Sequence, residues 1–201
     1  LNELIVVACH GRTWIQQCNE SLAAHTATDV VFIDTGRSLA HGADVAIDGG
    51  YSTGAYLWAY EQYAAYDRFL FLQDSMTCLT DPMPWFRDLW QGSGASCWGL
   101  FPMQWDSHEQ AVEVGARYPD AAPRHGIFGP IFYTDRPSLD LLAKNGLFPK
   151  RPESRLDAQT AERSWAYAYA TLGMPVTGPE WNPAAMQAGF GPFRKTWAAR
   201  P

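Results

Sequence analysis

Three apolar runs constrain this chain more than any other feature. They are Leu4–Ala8, Val30–Ile33 and Arg68–Leu72, the last apolar from Phe69 onward. None alternates polar with apolar, so each reads as a strand covered on both faces, as in a parallel sheet flanked by helices. Each also stops on polar residues: His10 and Arg12 after the first, Asp34 after the second, Gln73, Asp74 and Ser75 after the third. In an open α/β sheet, ligands bind beyond the carboxyl ends of the strands. The three tips are therefore expected to share one site.

The intervening segments support this reading. Thr13 followed by Gln16 has the form of a capping box, and Trp14, Ile15, Cys18 and Leu22 then fall on one helix face. Val45-Ala46-Ile47 reads as a short strand, Asp48-Gly49-Gly50 as a turn, and a helix opens near Ser52 or Thr53 with Tyr56, Tyr60 and Tyr63 on one stripe. This β-α-β-β-α-β rhythm predicts an α/β sheet with right-handed crossovers. Further on, Cys97–Phe101 and Gly126–Tyr133 read as strands, residues 102–126 as a long loop with one helical turn, 137–144 as a helix closed by Asn145-Gly146, and Asp157–Leu172 as a helix ended by Gly173. Val176 opens a last short strand, and residues 178–201, rich in Pro, Gly and aromatics, read as an irregular tail packed on the same domain.

Composition narrows the function classes. With 201 residues, 47% hydrophobic, the chain suffices for one domain with a large core. No apolar run reaches the length of a membrane span. Leu4–Ala8 is too short, and lacks a basic segment before it, to read as a secretory leader. The four cysteines (9, 18, 78 and 97) have no zinc spacing and read as reduced, buried thiols, so the expected location is cytoplasmic. Residues 1–149 carry 8 Lys+Arg against 17 Asp+Glu, whereas residues 150–201 carry 7 against 4. An acidic body is a poor fit to non-specific nucleic-acid binding. Its basic C-terminal quarter could face a phosphate-bearing ligand or be ordinary solvated surface. Pro82, Pro84, Trp85, Trp90, Trp98 and Trp105 crowd one stretch, where the tryptophans could stack on sugar faces or fill core.

Several segments taken together resemble nucleotide-diphospho-sugar glycosyltransferases of the GT-A fold, in particular their large inverting family. The first is Leu4–Arg12 followed by Cys18–Leu22 and Val31–Asp34. The second is Asp48–Ala55 leading into Phe69–Ser75. The third is Gly129–Tyr133 with Leu139–Leu142 and Gly146–Phe148, and the fourth is Ala161-Glu162-Arg163 with Gly173 beyond it. The resemblance implies a single Rossmann-like GT-A domain over residues 1–177, with a mostly parallel central sheet flanked by helices. It also implies a transferase that moves a sugar from a nucleotide-diphosphate donor to an acceptor hydroxyl.

Carried over residue by residue, the resemblance puts Asp34 beside the base, with Ala8, Cys9, His10 and Arg12 in the first-strand loop next to it. Gly54 belongs to the glycine-containing helix start. Gln73, Asp74 and Ser75 fall in the segment that meets the diphosphate and its metal, and Glu162 matches the general base, with Asp157 in reserve. The family's Asp-x-Asp is here Gln73-Asp74-Ser75, with a single carboxylate. Two alternatives stay open: Asp74 holds Mg²⁺ or Mn²⁺ with help from its neighbours or water, or basic residues such as Lys150, Arg151, Arg155, Arg194 and Lys195 take the cation's place. Each residue also has a plainer reading: Asp34 and Asp74 as turn or segment caps, Glu162 as a solvated helix carboxylate, His108 and His125 as loop residues. The acceptor is open among a protein, a polysaccharide end and a modified DNA base. A non-catalytic nucleotide-sugar binder is the alternative function. A sugar nucleotidyltransferase ranks below it, because Cys9–Arg12 lacks a glycine-rich loop, and no G-x-G-x-x-G follows a strand to suggest a dehydrogenase.

Overall fold

Leu4, Val6 and Ala8 belong to one layer of the core and Ile5, Val7 and Cys9 to the other. The first strand, β1 (Glu3–Cys9), is thus buried on both faces, as its unbroken apolar run requires. The same division separates Phe69 and Phe71 from Leu70 and Leu72 in β4 (Arg68–Gln73). The structure, a computed structural model, describes residues 1–9, 14–36, 42–103, 108–121, 126–180 and 182–195.

The element order begins β1, α1 (Ile15–His25), β2 (Asp29–Asp34), β3 (Val45–Ala46), α2 (Tyr51–Gln62), β4 and β5 (Met76–Cys78). It continues α3 (Pro82–Ser93), β6 (Cys97–Met103), α4 (His108–Arg117), β7 (Gly126–Asp135) and α5 (Arg136–Lys144). It closes with α6 (Arg155–Thr171), β8 (Val176–Thr177), α7 (Pro183–Ala188) and β9 (Phe193–Lys195). Seven strands form the main sheet in the order β3-β2-β1-β4-β7-β6-β8, while β5 and β9 pair separately. β1 is parallel to β2 and β4, β2 to β3, and β6 to β8. Among the described strands of this sheet, only β7 runs against its neighbours, β4 and β6. The sheet is therefore mostly parallel, flanked by helices on both faces, in a Rossmann-like α/β arrangement.

The reversal of β7 matters for the site. Its last residue, Asp135, pairs with Arg68 at the start of β4, so its first residue, Gly126, lies toward the ends of the parallel strands. There a Cβ on Gly126 would come within 2.3 Å of Arg163 Cβ, so the glycine lets α6 lie directly on the sheet. Ala55, Tyr56, Leu139, Leu142, Trp165 and Tyr169 cover that face of the sheet. On the other face lie Ile15, Cys18 and Leu22 of α1 with Met83 and Phe86 of α3.

Several sequence expectations are corrected. α1 starts at Ile15 with Trp14 at its N-cap and no side-chain cap; Thr13 lies outside the described residues. α2 starts at Tyr51, preceded by Gly50 at φ +88°. The expected loop at 102–126 contains the ten-residue helix α4, whose Val114 reaches the core. α6 starts at Arg155, two residues before Asp157. Within the expected irregular tail, α7 caps on Asn182 and β9 pairs with β5. Trp85, Phe86 and Trp98 pack edge to face, with Trp90 against Tyr133. Trp98 is buried in the core on the α3 side and Trp85 and Trp90 are half-buried against it; Trp105 lies outside the described residues. The tyrosine stripe divides, with Tyr56 fully buried against Phe71 and Phe132 and Tyr60 and Tyr63 half-buried at the margin. All four cysteines are buried free thiols. Among the described residues no helix is long and apolar enough to cross a membrane.

Candidate functional site

The tips of β2, β1 and β4 lie side by side. Cys9 is in register with Asp34 and Ala8 with Gln73. Neighbouring strands are roughly 5 Å apart, so the Cα atoms of Asp34 and Gln73 stand about 10 Å from one another across β1. The Asp74 backbone N–H donates to Ala8 O at 3.1 Å, which holds the turn after β4 against the end of β1.

A cavity of about 140 Å³ opens at this point, lined by Ala8, Cys9, Tyr51, Ser52, Gln73, Asp74, Ala158 and Glu162. Ala158 and Glu162 are one helical turn apart on α6 and face the cavity together. The small side chain of Ala158 leaves room, and Glu162 supplies the charge. Gln73 Nε2 donates to Glu162 Oε1 at 2.8 Å, and Ser52 Oγ donates to the same oxygen at 3.0 Å. Desolvation raises the Glu162 pKa above the usual carboxylate range, although the Ser52 bond, the charges of Lys195 and Arg163, and the Gln73 bond all oppose that shift. The side chain is held in one orientation and binds a proton more readily than a surface glutamate.

Asp74 shares the cavity with Glu162, and behind them lies Lys195. Its side chain is 7% exposed, and Lys195 Nζ donates to Ser75 Oγ at 2.7 Å. Burial lowers its pKa to about 8, against the pull of Glu162 and Asp74. The lysine arrives on β9, whose pairing of Lys195 with Met76 sets it beside the Gln73-Asp74-Ser75 segment. Cys9 also lines the cavity, but burial, reinforced by Asp74, Cys18, Asp34 and Asp44, pushes its thiol far above the range in which a thiolate nucleophile forms.

A second, larger cavity of about 450 Å³ adjoins the first through Tyr51, and Thr35, Gly36, Asp48, Gly49, Gly50, Arg151, Pro152 and Glu153 complete its lining. Arg151 lies across the turn before α2 and donates to Asp48 O and Gly49 O. Gly50 has no alternative here: a Cβ would come within 2.6 Å of Arg151 Nε and 2.9 Å of Gly54 Cα, at φ +88°. Tyr51 itself has φ +50°, an uncommon conformation for a bulky residue, at the junction of the two cavities.

The predicted site residues therefore separate into groups. Ala8, Cys9, Gln73, Asp74 and Glu162 line one cavity. Ser75 stands behind it as the acceptor for Lys195. Asp34 is buried at the tip of β2, and its Oδ1 accepts from Gly36 N at 2.7 Å; Thr35 and Gly36, rather than Asp34, face the larger cavity. Gly54 lies in the first turn of α2, lines neither cavity, and keeps Gly49 O and Arg151 close. Asp157 does not line the Glu162 cavity. It forms the capping box of α6 with Ser154, whose bond is the main cause lowering its pKa. His10, Arg12 and His125 lie outside the described residues, and His108 is exposed at the start of α4. Tyr51, Ser52, Ala158 and the burial of Lys195 were not singled out from sequence. Ser52 had a signal in its place after Gly49-Gly50, but the positive φ of Tyr51 just before it had none.

Mg²⁺ and Mn²⁺ seek several hard oxygen ligands. Among the described residues no three His, Cys, Asp or Glu side chains gather to hold a metal. The Gln73 amide is turned to Glu162, and the Ser75 hydroxyl receives an ammonium. Within the Gln73-Asp74-Ser75 segment this leaves Asp74 as the one carboxylate on the cavity, so the segment alone does not supply the ligand set of a divalent cation.

No protein-family model matches the chain, and no curated protein matches it significantly.

Proposed function

We propose that this protein is an inverting glycosyltransferase that uses a nucleotide-diphosphate sugar. The observation that carries the reading is the pairing of Asp74 and an immobilised, half-buried Glu162 in one cavity at the carboxyl ends of the parallel strands. The adjoining cavity between Thr35, Gly36, Asp48 and Arg151 is large enough to take the nucleoside part of the donor.

In this reading the donor's anomeric carbon faces Glu162. The bond from that carbon to the diphosphate oxygen breaks, and its electron pair leaves with the nucleoside diphosphate. The acceptor oxygen forms the new bond from the opposite face, and its proton passes to the Glu162 carboxylate. A carboxylate with raised proton affinity suits this role. Gln73 and Ser52 are positioning residues: both donate to Oε1, which leaves Oε2 to take the proton.

Thermal-shift screening of nucleotide sugars tests the reading, because a bound donor raises the melting temperature by mass action. Glu162→Gln should lower transfer by about 10²–10⁴-fold with donor binding kept. Transfer near the wild-type rate would remove Glu162 from the role. A donor that binds but is never transferred would favour a nucleotide-sugar-binding module instead.

A further inference from the structure

We infer that Lys195 is the built-in cation of this site and takes the place of a divalent metal opposite the donor diphosphate. The inference deepens the glycosyltransferase reading and rests on it.

The leaving group of the proposed reaction carries at least two negative charges in a cavity already lined by Asp74 and Glu162. Without a compensating cation, the donor would be repelled and its departure opposed. Among the described residues the side chains do not by themselves assemble a metal site. A positive charge is nevertheless present. Lys195 is one of the few buried charged side chains among the described residues, and its charge acts on both Asp74 and Glu162. Its bond to Ser75 Oγ anchors the ammonium within the segment that would otherwise supply metal ligands.

The surrounding design is consistent with this use. A neutral amide, Gln73, stands beside Asp74, so the site has one carboxylate fewer to neutralise than an Asp-x-Asp would give it. Arg163, buried on α6, adds its charge toward Glu162, and Arg151 borders the adjoining cavity. Lys195, Arg163 and Arg151 all come from the basic C-terminal quarter of the chain. An ammonium is a compact point charge with three donors and suits phosphate oxygens. Lys195 does not itself line the cavity; it stays protonated behind the Gln73-Asp74-Ser75 segment, and its charge offsets the negative charge that accumulates on the diphosphate as the donor bond breaks.

The test is calorimetric binding of inorganic pyrophosphate and of four nucleoside diphosphates (UDP, GDP, ADP and CDP) to the full chain. Each is measured in excess EDTA and again with Mn²⁺ or Mg²⁺. The expected result is binding in EDTA within about threefold of that with metal, weakened about ten- to a hundredfold by Lys195→Met and largely retained by Lys195→Arg. The arginine variant retains the charge and so separates loss of the charge from a change in packing at this position. Binding that requires a metal, or that survives Lys195→Met unchanged, overturns the role of Lys195 and leaves the glycosyltransferase reading standing. If none of the probes binds under any condition, both the role and the parent reading fall.

Discussion

Replacing Lys195 with methionine separates what the ammonium costs the fold from what it does for the site. Burial moves its pKa from 10.5 to about 8, with the attraction of Glu162 and Asp74 already included. One pKa unit corresponds to about 1.4 kcal/mol, so keeping this group charged costs the folded protein about 3 kcal/mol at neutral pH. Methionine fills a similar volume without charge but loses the bond to Ser75, a net loss of about 1 kcal/mol. Lys195→Met should therefore be more stable than the wild type by about 2 kcal/mol near neutrality. The sign of the pH dependence follows from the lowered pKa. From about 8 to 10.5 the unfolded chain holds more protons at this residue than the folded one, so the wild type gains stability as pH rises. The advantage of the variant should shrink across that window. Urea denaturation at a series of pH values measures both effects. A variant less stable than wild type near neutrality, or a gap that does not narrow with pH, would refute the burial argument.

Gly126→Ala should cost about 1–3 kcal/mol, because its Cβ would fall 2.3 Å from Arg163 Cβ and 2.5 Å from Arg163 Cα, read as a lowered midpoint in chemical denaturation. An unchanged midpoint would mean that α6 does not rest on β7 as described. Ser154→Ala removes the capping box of α6 and should cost about 1 kcal/mol by the same assay. The Asp157 carboxyl is held below its usual range, so its stabilising effect is present above the ordinary aspartate pKa and is lost as pH falls through the lowered one. The difference between wild type and Asp157→Asn should accordingly disappear in acid; a constant difference would contradict the cap. Gln73→Glu would set a second carboxylate against Glu162 in place of an amide donor 2.8 Å away. The pair should share a proton and raise its joint titration, so the variant loses stability as pH climbs from about 4 to neutrality. A flat thermal-melt profile relative to wild type would exclude that contact.

The strand tips were legible because β1, β2 and β4 are covered on both faces, which writes unbroken apolar runs into the sequence and makes their polar ends conspicuous. Asp34, Gln73 and Asp74 could be read as strand-tip residues for that reason. The reversal of β7 was not legible, since a buried antiparallel strand has the same apolar composition as a parallel one. α4 was missed because its surface is polar and Gly115 interrupts it, leaving Val114 and Gln110 as the buried contacts. β9 is three residues long, with Phe193 and Lys195 inward and Arg194 outward. So short a segment carries no periodicity, and a lysine pattern alone reads as surface. Asp157 looked like a reserve base because it stands near Glu162 in sequence, yet five residues along a helix turn it to a different side. The capping role was readable from Ser154 and Asp157 three positions apart, had the helix start been set earlier.

The contact between Lys195 and Ser75 spans 120 residues of chain. During synthesis the sheet tips, the glutamine and both carboxylates emerge well before the lysine that balances them. All seven strands of the main sheet precede β9 in the chain, so the segment that balances the acidic pocket comes last. The charge balance of the pocket is thereby tied to a contact between distant parts of the chain.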